Sequence, residues 1–217
     1  MRLTRAAFFC YHINEINNLA MISEKSTLEQ LAQQVRFVAI DGDGVLFDNN
    51  AWHGLSINGM SLKPKTRSHS DGQGISFLRA IGMRICIITS AHGIDALAAR
   101  EVTERWNNLP SAREEGGWSE VSLFENTEGL AKEAILRHWL ASHGGTFAEC
   151  VAIGNDIGDG SMLKAVAFPC APADAEQAVK DICSFITPRN GGEGAIRDVA
   201  NLILEARGIS PFSLPTR

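Results

Sequence analysis

The chain has 217 residues and a mass of 23.5 kDa, which suits one domain with a substantial core. Its 45% hydrophobic and 21% charged residues are typical of a globular protein, and no apolar run is long enough to cross a bilayer. A formal net charge of -5 without a clustered basic face predicts neither a nucleic-acid partner nor a membrane partner. We therefore expect a small-molecule ligand.

Five cysteines, at positions 10, 86, 150, 170 and 183, form no Cys-x-x-Cys pair. An odd number without metal-binding spacing indicates reduced, mostly buried thiols, which are typical of a cytoplasmic protein. Near the start, Arg2 and Arg5 precede an apolar run that ends at His12, too short for a signal peptide. Residues 1–25 are either a mobile extension, or the true start is Met21 and residues 1–20 lie upstream of it.

The stretch from Val35 to Asp48 reads V-R-F-V-A-I-D-G-D-G-V-L-F-D. Its first part is rich in β-branched and aromatic residues, which predicts a buried strand that ends at Asp41 and Asp43. Open α/β sheets bind their ligands at the carboxyl ends of the strands. Because two carboxylates so close together repel each other, we expect either a bound cation or a proton held by one of them.

Predicted helices and strands alternate along the rest of the chain, which indicates an α/β fold with a doubly wound parallel sheet. A capping box at Ser26–Glu29 predicts a short helix that ends at Gln34. Further strands are predicted over residues 84–89, 121–124 and 150–153, with short strand and helix pieces over 167–186. Further helices are predicted over residues 71–80, 94–106, 130–142 and 194–207, and a loop over 107–117.

Residues 49–70 form a polar stretch in which Asn58-Gly59 predicts a hairpin turn between residues 52–57 and 61–65. The stretch carries four basic residues, Lys63, Lys65, Arg67 and His69. These side chains either meet an anionic substrate or form a solvated face of the ribbon.

The motif D-G-D-G-V-L-F-D resembles the first motif of the haloacid dehalogenase superfamily, in the phosphatase branch that acts on 3-deoxy-2-keto sugar acid phosphates. Further similar motifs follow in the same order: S-D-G-Q-G-I-S-F-L-R-A-I-G-M-R-I-C-I-I-T-S, G-N-D-I-G-D-G-S-M-L, A-P-A-D-A and N-G-G-E-G-A-I-R-D. The resemblance, to octulosonate 8-phosphate phosphatases and to the phosphatase-like domain of acylneuraminate cytidylyltransferases, covers Val35 to about Arg207.

This resemblance implies a haloacid dehalogenase fold without a large cap domain, in which a β-hairpin flap at residues 49–70 takes the place of the cap. The expected organisation is an extension with a short helix over residues 1–34, a phosphatase domain over 35–210 and a tail over 211–217.

By the same resemblance, Asp41 is the nucleophile that becomes an aspartyl phosphate. Asp43 protonates the leaving sugar oxygen and then deprotonates the hydrolytic water. Lys132 matches the lysine that pairs with the nucleophile and the phosphoryl oxygens. Thr89 matches the hydroxyl that binds the phosphoryl group, with Ser90 as a substitute.

The resemblance also implies Mg²⁺, which prefers oxygen ligands in octahedral geometry. The Asp41 carboxylate and the Asp43 backbone carbonyl match two of the ligands. The motif G-N-D-I-G-D offers Asn155, Asp156 and Asp159 as the others. Because many relatives carry aspartate where Asn155 stands, we expect a weaker metal affinity here.

Substrate recognition is the least defined part of the resemblance. Lys65 and Arg67 of the flap are candidates for binding the substrate or its phosphate. Arg197, in the glycine-rich tail motif, is a candidate either for carboxylate or phosphate recognition or for a structural ion pair. Ser70 stands where relatives often have a basic residue, so we expect the substrate carboxylate to be held differently.

The expected function is therefore a Mg²⁺-dependent phosphatase of a nonulosonate 9-phosphate or an octulosonate 8-phosphate, with the nine-carbon acids slightly favoured. A homotetramer, in which one subunit's hairpin covers the neighbouring site, follows from the resemblance alone. The alternative is a catalytically weak or inactive module of the same fold that serves oligomerisation. The presence of both Asp41 and Asp43 argues for the enzyme, because an idle module needs neither.

Overall fold

The computed structural model describes residues 27–115 and 117–215. The predictions for the N-terminal extension, Cys10 and the capping residue Ser26 lie outside the described residues. The strands are β1 (Phe37–Asp41), β2 (Ser56–Ile57), β3 (Met60–Ser61), β4 (Arg84–Ile88), β5 (Ser122–Phe124), β6 (Cys150–Ile153), β7 (Phe168–Ala171) and β8 (Phe185–Ile186).

The α-helices are α1 (27–34), α2 (His69–Ala80), α3 (Leu97–Asn107), α4 (Pro110–Arg113), α5 (Leu130–Ser142), α6 (Gly160–Ala165), α7 (Gln177–Lys180) and α8 (Ala195–Ala206). Short 3-10 helices occupy Phe147–Glu149, Ile157–Asp159 and Pro211–Ser213. None of the helices in the described ranges is long and apolar enough to span a membrane.

Six parallel strands form the central sheet in the order β5-β4-β1-β6-β7-β8. The chain winds from β1 outward to β4 and β5 on one side, and then returns to β6 on the other. The carboxyl end of β1 is therefore the point at which the direction of winding reverses, and open α/β sheets bind ligands at this point. Asp41 is the last residue of β1. The predicted doubly wound fold is confirmed.

Hydrophobic side chains fill both faces of the sheet, because alternate residues of a strand point in opposite directions. In β1, Val38 and Ile40 pack under α2, α3 and α8, whereas Phe37 and Ala39 pack under α5 and α6. Every residue of β1 is buried. This rigid central strand fixes the position of Asp41.

A two-stranded hairpin, β2 and β3, lies between β1 and α2. Its turn residues Asn58 and Gly59 have φ values of 51° and 76°, because a two-residue type I′ hairpin turn requires positive φ at both positions. Each strand has only two residues, so the ladder is much shorter than the predicted segments 52–57 and 61–65. Ile57 at its tip is 57% exposed.

Several predicted boundaries are wrong by a few residues. Helix α2 begins at His69 instead of residue 71, because the Ser68 side chain accepts a hydrogen bond from Ser70 N and caps the helix there. Helix α3 begins at Leu97, three residues later than predicted. The predicted loop 107–117 contains helix α4, which has proline in its first turn. Proline is tolerated there because an N–H in the first turn of a helix has no acceptor within the helix.

Candidate active site

A tight turn after β1 brings Asp41 and Asp43 to the edge of the sheet. Leu46 N and Phe47 N donate to Gly42 O at 3.0 and 2.9 Å, which closes the turn. Asp41 is 6% exposed and lies beside β4, where it pairs in register with Ile88. The turn therefore fixes two carboxylates of very different exposure only two residues apart.

Lys132, in the first turn of α5, is buried against two carboxylates. Its Nζ donates to a carboxylate oxygen of Asp41 and to Asp159 Oδ1, the latter at 2.6 Å. Burial of ionised groups is costly unless they are paired and hydrogen-bonded, and this triad meets that condition with one unit of negative charge left over. The arrangement can attract a further cation.

The two negative charges and one positive charge of this triad shift the pKa values of Asp41 and Lys132. Burial, and then the negative charge of Asp159, raise the pKa of Asp41 to about 7, although Lys132 opposes the shift. Burial alone would lower the pKa of Lys132, but the charges of Asp41 and Asp159 outweigh it and raise that pKa. Lys132 therefore stays an ammonium ion at neutral pH.

Asp43 points towards the open side of the site, with 41% of its side chain exposed. Lys65 Nζ donates to both of its carboxylate oxygens, at 2.6 and 2.7 Å. The Lys65 ammonium also lies 5.5 Å from the centre of the Phe47 ring, and only 13% of its side chain is exposed. The structure thus brings Lys65 of the flap segment to the second carboxylate.

Thr89 and Ser90 follow β4 at the same edge of the sheet. Thr89 is buried, and its Oγ1 accepts a hydrogen bond from Ala91 N at 3.1 Å. A Cβ atom at Gly42 would come within 2.6 Å of that Oγ1, so glycine lets the turn pack directly on Thr89. Ser90 is exposed and lines the cavity next to Asp43.

Three oxygen atoms converge where a divalent cation would fit. With its amide oxygen turned towards this point, Asn155 Oδ1 lies 2.9 Å from the backbone oxygen of Asp43 and 3.3 Å from Asp41 Oδ2, and only a cation between them makes three acceptors so placed favourable. Two ligands at right angles around Mg²⁺, each bound at 2.0–2.1 Å, lie about 2.9 Å apart. Without a cation the opposite orientation of the amide is favoured, because its Nδ2 then donates to the same two oxygens. The residues present therefore fit the cation.

The other two residues of the predicted metal motif make different contacts. Asp159 Oδ2 accepts from the backbone N of Asn155 and of Asp156, at 2.9 and 3.1 Å, while its Oδ1 faces Lys132. The exposed Asp156 accepts from Ile157 N at 2.6 Å and so caps a short helix. Within the described ranges, no cluster of three His, Cys, Asp or Glu residues could hold a metal ion. The candidate cation site instead combines one carboxylate, from Asp41, one backbone carbonyl, from Asp43, and one amide, from Asn155. We call these three ligands the oxygen group.

Two predicted substrate-binding arginines lie elsewhere. Arg67 packs over the Trp106 ring at 5.3 Å and lines a separate cleft. Arg197 donates to Gln73 Oε1 at 2.6 Å and to Asn201 Oδ1 at 2.8 Å, between α2 and α8. The structure does not bring either side chain to Asp41. The partner of Arg67 lies on α3, and the partners of Arg197 lie on α2 and α8.

A cavity of about 360 Å³ opens beside Asp43, between the flap segment and the loop after β4. It is lined partly by residues that the sequence left unassigned to any site: Asp48, Trp52, His53, His92 and Asp95. Lys63 and Asp95 form an ion pair of 2.5 Å across it. The position of residues 92 and 95 shortly after β4, at the ligand-binding edge, is the signal that could have identified them.

Comparison with known proteins identifies curated relatives. The chain is 27% identical over 183 residues to the 3-deoxy-D-manno-octulosonate 8-phosphate phosphatase KdsC of Haemophilus influenzae, a match that covers 84% of this chain and 90% of that protein. It is 29% identical over 177 residues to KdsC of Escherichia coli K12, with 82% and 83% of the two chains covered.

Solved structures share the fold. A protein from Legionella pneumophila, described as a hydrolase of HAD subfamily III A, matches with a TM-score of 0.73 and 25% identity over 88% of this chain and 93% of that one. The cobalt-bound octulosonate 8-phosphate phosphatase (YrbI) of Haemophilus influenzae matches with a TM-score of 0.66 and 25% identity over 82% and 92%.

The sequence profile of the haloacid dehalogenase-like hydrolases matches residues 31–199, most of the chain. The chain therefore belongs to the haloacid dehalogenase-like hydrolase family, as a phosphoric monoester hydrolase.

Proposed function

We propose that this protein is a Mg²⁺-dependent phosphatase that removes phosphate from a 3-deoxy-2-keto sugar acid through an aspartyl phosphate. One observation carries the proposal: Asp41 lies at the end of the central strand, between the Lys132 ammonium and the oxygen group formed with Asp43 O and Asn155. A nucleophilic carboxylate that attacks a phosphate dianion needs positive charge on both sides.

In this proposal Asp41 attacks phosphorus, and the bond to the sugar oxygen breaks as the aspartyl phosphate forms. Asp43 is exposed towards the cavity, so in its protonated form it can reach the leaving oxygen and give up its proton to it. After the sugar acid leaves, the same carboxylate takes a proton from the water that attacks the phosphoryl group. Phosphate is released and Asp41 is regenerated.

Asp41, the backbone carbonyl of Asp43 and Asn155 would hold the cation. When bound, Mg²⁺ supplies positive charge against the phosphoryl oxygens. Lys132 favours the ionised form of Asp41 and orients its carboxylate, since the ammonium is itself fixed by Asp159. Thr89 and Ser90 lie at the same edge as hydrogen-bond donors for the phosphoryl group.

The relatives support a sugar acid phosphate as the substrate, and their names favour the eight-carbon octulosonate 8-phosphate over the nine-carbon acids that the sequence slightly favoured. The cavity beside Asp43 is of a size for such a sugar, and an anionic substrate could take the place of Asp95 and Asp43 as the partner of Lys63 and Lys65 on its wall. The cobalt-bound relative supports a divalent cation.

We also propose a cytoplasmic homotetramer with one phosphatase domain over residues 35–210 and a tail over 211–217. Exposed apolar side chains on the flap, including Trp52, Leu55 and Ile57, support burial of the hairpin between subunits. Cys86, Cys150, Cys170 and Cys183 are free thiols, which suits a reducing compartment.

The test is phosphate release from a panel of sugar phosphates, with and without Mg²⁺. We expect release from octulosonate 8-phosphate, weaker release from a nonulosonate 9-phosphate, little from a neutral hexose phosphate, and none after chelation. Equal rates on neutral sugar phosphates would overturn the substrate class. Unchanged rates in the presence of a chelator would overturn the role of the cation.

A further inference from the structure

A second cleft lies where the start of α2 faces the end of α3, apart from the cavity beside Asp43. Its volume is about 800 Å³, more than twice that of the cavity. Its lining includes Arg67, His69, Gln73, Arg105 and Trp106. We call it the α2–α3 cleft.

The two arginines of this cleft form no ion pair with a described carboxylate, although the charge of the buried Asp71 acts on Arg67. Two of the lining residues are arginines, and none is acidic. The nearby Asp71 is buried, and its Oδ1 accepts from Arg197 N at 3.0 Å. Burial, and then the charge of Arg105, lower the pKa of Arg67.

Hydrogen-bond donors in the cleft are held in place by aromatic packing. The Arg67 guanidinium lies 5.3 Å from the centre of the Trp106 ring. A Cβ atom at Gly72 would lie 3.0 Å from Arg67 Nη1 and 3.7 Å from Trp106 Nε1, so the absence of a side chain there lets both groups approach α2. Over the described ranges, no residue accepts a hydrogen bond from the Trp106 indole N–H.

We propose that the α2–α3 cleft binds a small anion of the phosphate class, held by the guanidinium groups of Arg67 and Arg105 and by the indole N–H of Trp106. Two unpaired guanidinium groups on one cleft repel each other, and a dianion between them would remove that repulsion. The planar guanidinium group also matches the geometry of phosphate oxygens.

The segment of residues 63–67 connects this cleft with the catalytic cavity. Lys63 and Lys65 line the cavity, and Arg67 lines the cleft. Lys65, in the middle of the segment, is hydrogen-bonded to Asp43. An anion that fixes Arg67 would therefore fix the segment that supplies Lys65, which makes the cleft suited to an effector that is chemically similar to the released phosphate.

The experiment is a titration of the Trp52→Phe protein with inorganic phosphate, followed by tryptophan fluorescence. Trp52 lines the catalytic cavity, so its removal prevents that cavity from contributing directly to the signal. We expect a saturable change that disappears when Trp106→Phe is added. Arg67→Met or Arg105→Met should weaken phosphate binding by at least about tenfold, because each removes a charged donor.

Arg137→Met is the matched control, because Arg137 packs over the Phe147 ring at 4.7 Å and lies outside the cleft. It should titrate like the parent protein. Arg105 is exposed, so its variant is expected to fold even where Arg67→Met does not. The proposal is overturned if phosphate gives no saturable change, if the change persists without Trp106, or if Arg105→Met binds phosphate like the parent.

Discussion

Lys132 donates a hydrogen bond to Asp41 although the two residues are 91 positions apart in the chain. The same ammonium donates to Asp159 at 2.6 Å, and all three side chains are buried. A single lysine thus makes the close approach of two buried carboxylates tolerable. Folding stability and the proposed chemistry both depend on it.

Replacement of Lys132 by methionine should therefore destabilise the protein by about 3–5 kcal/mol, because two buried carboxylates lose their only ammonium partner in the triad. Denaturant unfolding at neutral pH measures this change. Lys164→Met removes an exposed lysine from α6 and should change the free energy of unfolding by less than about 0.5 kcal/mol. Equal effects of the two substitutions would contradict the importance of the triad.

Asn155→Asp should strengthen Mg²⁺ binding by at least about tenfold, since it adds a second carboxylate to the oxygen group. Calorimetric titration with Mg²⁺ measures the affinity directly and does not depend on turnover. Asn126→Asp, an exposed position in a loop, provides the control for an added negative charge. If both variants bind Mg²⁺ with wild-type affinity, Asn155 is not a ligand.

Gly44→Ala and Gly54→Ala form a matched pair that tests the geometry of the cation site. Both glycines have positive φ, 85° and 76°, so alanine costs about 1–2 kcal/mol of backbone strain in each case. At Gly44 the new Cβ would also lie 2.1 Å from Asn155 Nδ2, whereas nothing lies within 4 Å at Gly54.

Gly44→Ala should therefore weaken Mg²⁺ binding by at least about tenfold, while Gly54→Ala keeps the wild-type affinity. The same calorimetric titration decides between them. An equal loss in both variants would show that backbone strain, and not the displaced Asn155, weakens the site.

The sequence predicted the parts of the site that follow directly from strand ends. Asp41 ends β1 and Thr89 follows the adjacent parallel strand β4, so their closeness depends only on the order of strands in the sheet. The resemblance to a known motif placed Lys132 beside Asp41, which spacing alone could not do across 91 residues.

Side-chain direction after a strand was not predictable in the same way. Asp159 points to Lys132 and to backbone amides because the short helix at Ile157–Asp159 turns it inward. For Arg67 the sequence leaves open a contact with an anionic substrate or a solvated face of the flap, and the side chain packs on Trp106 of α3. That contact depends on how a distant helix packs, and no local pattern encodes it.

Asp71 should make stability depend on pH. Burial raises the pKa of Asp71 from 3.8 to about 6, although backbone amides of α8, among them Arg197 N, oppose the shift. Because the folded-state pKa is raised, folding favours the protonated form of Asp71. The stability that protonated Asp71 contributes is fully present below pH 3.8 and is lost as the pH rises through about 6.

The advantage of the wild type over Asp71→Asn in the free energy of unfolding should therefore shrink by roughly 2–3 kcal/mol across that range. Denaturant unfolding at several pH values measures it. Asp181→Asn, at an exposed position after α7, should retain the wild-type dependence on pH. A constant difference between wild type and Asp71→Asn would contradict the raised pKa.

The most direct test of the account is to identify the phosphorylated residue by mass spectrometry, after the enzyme has been mixed with Mg²⁺ and a sugar acid phosphate and quenched in acid. We predict one phosphoryl group on the peptide that carries Asp41, and none in Asp41→Asn. A phosphoryl group on another residue, or turnover that persists in Asp41→Asn, would contradict the assignment of Asp41 as the nucleophile.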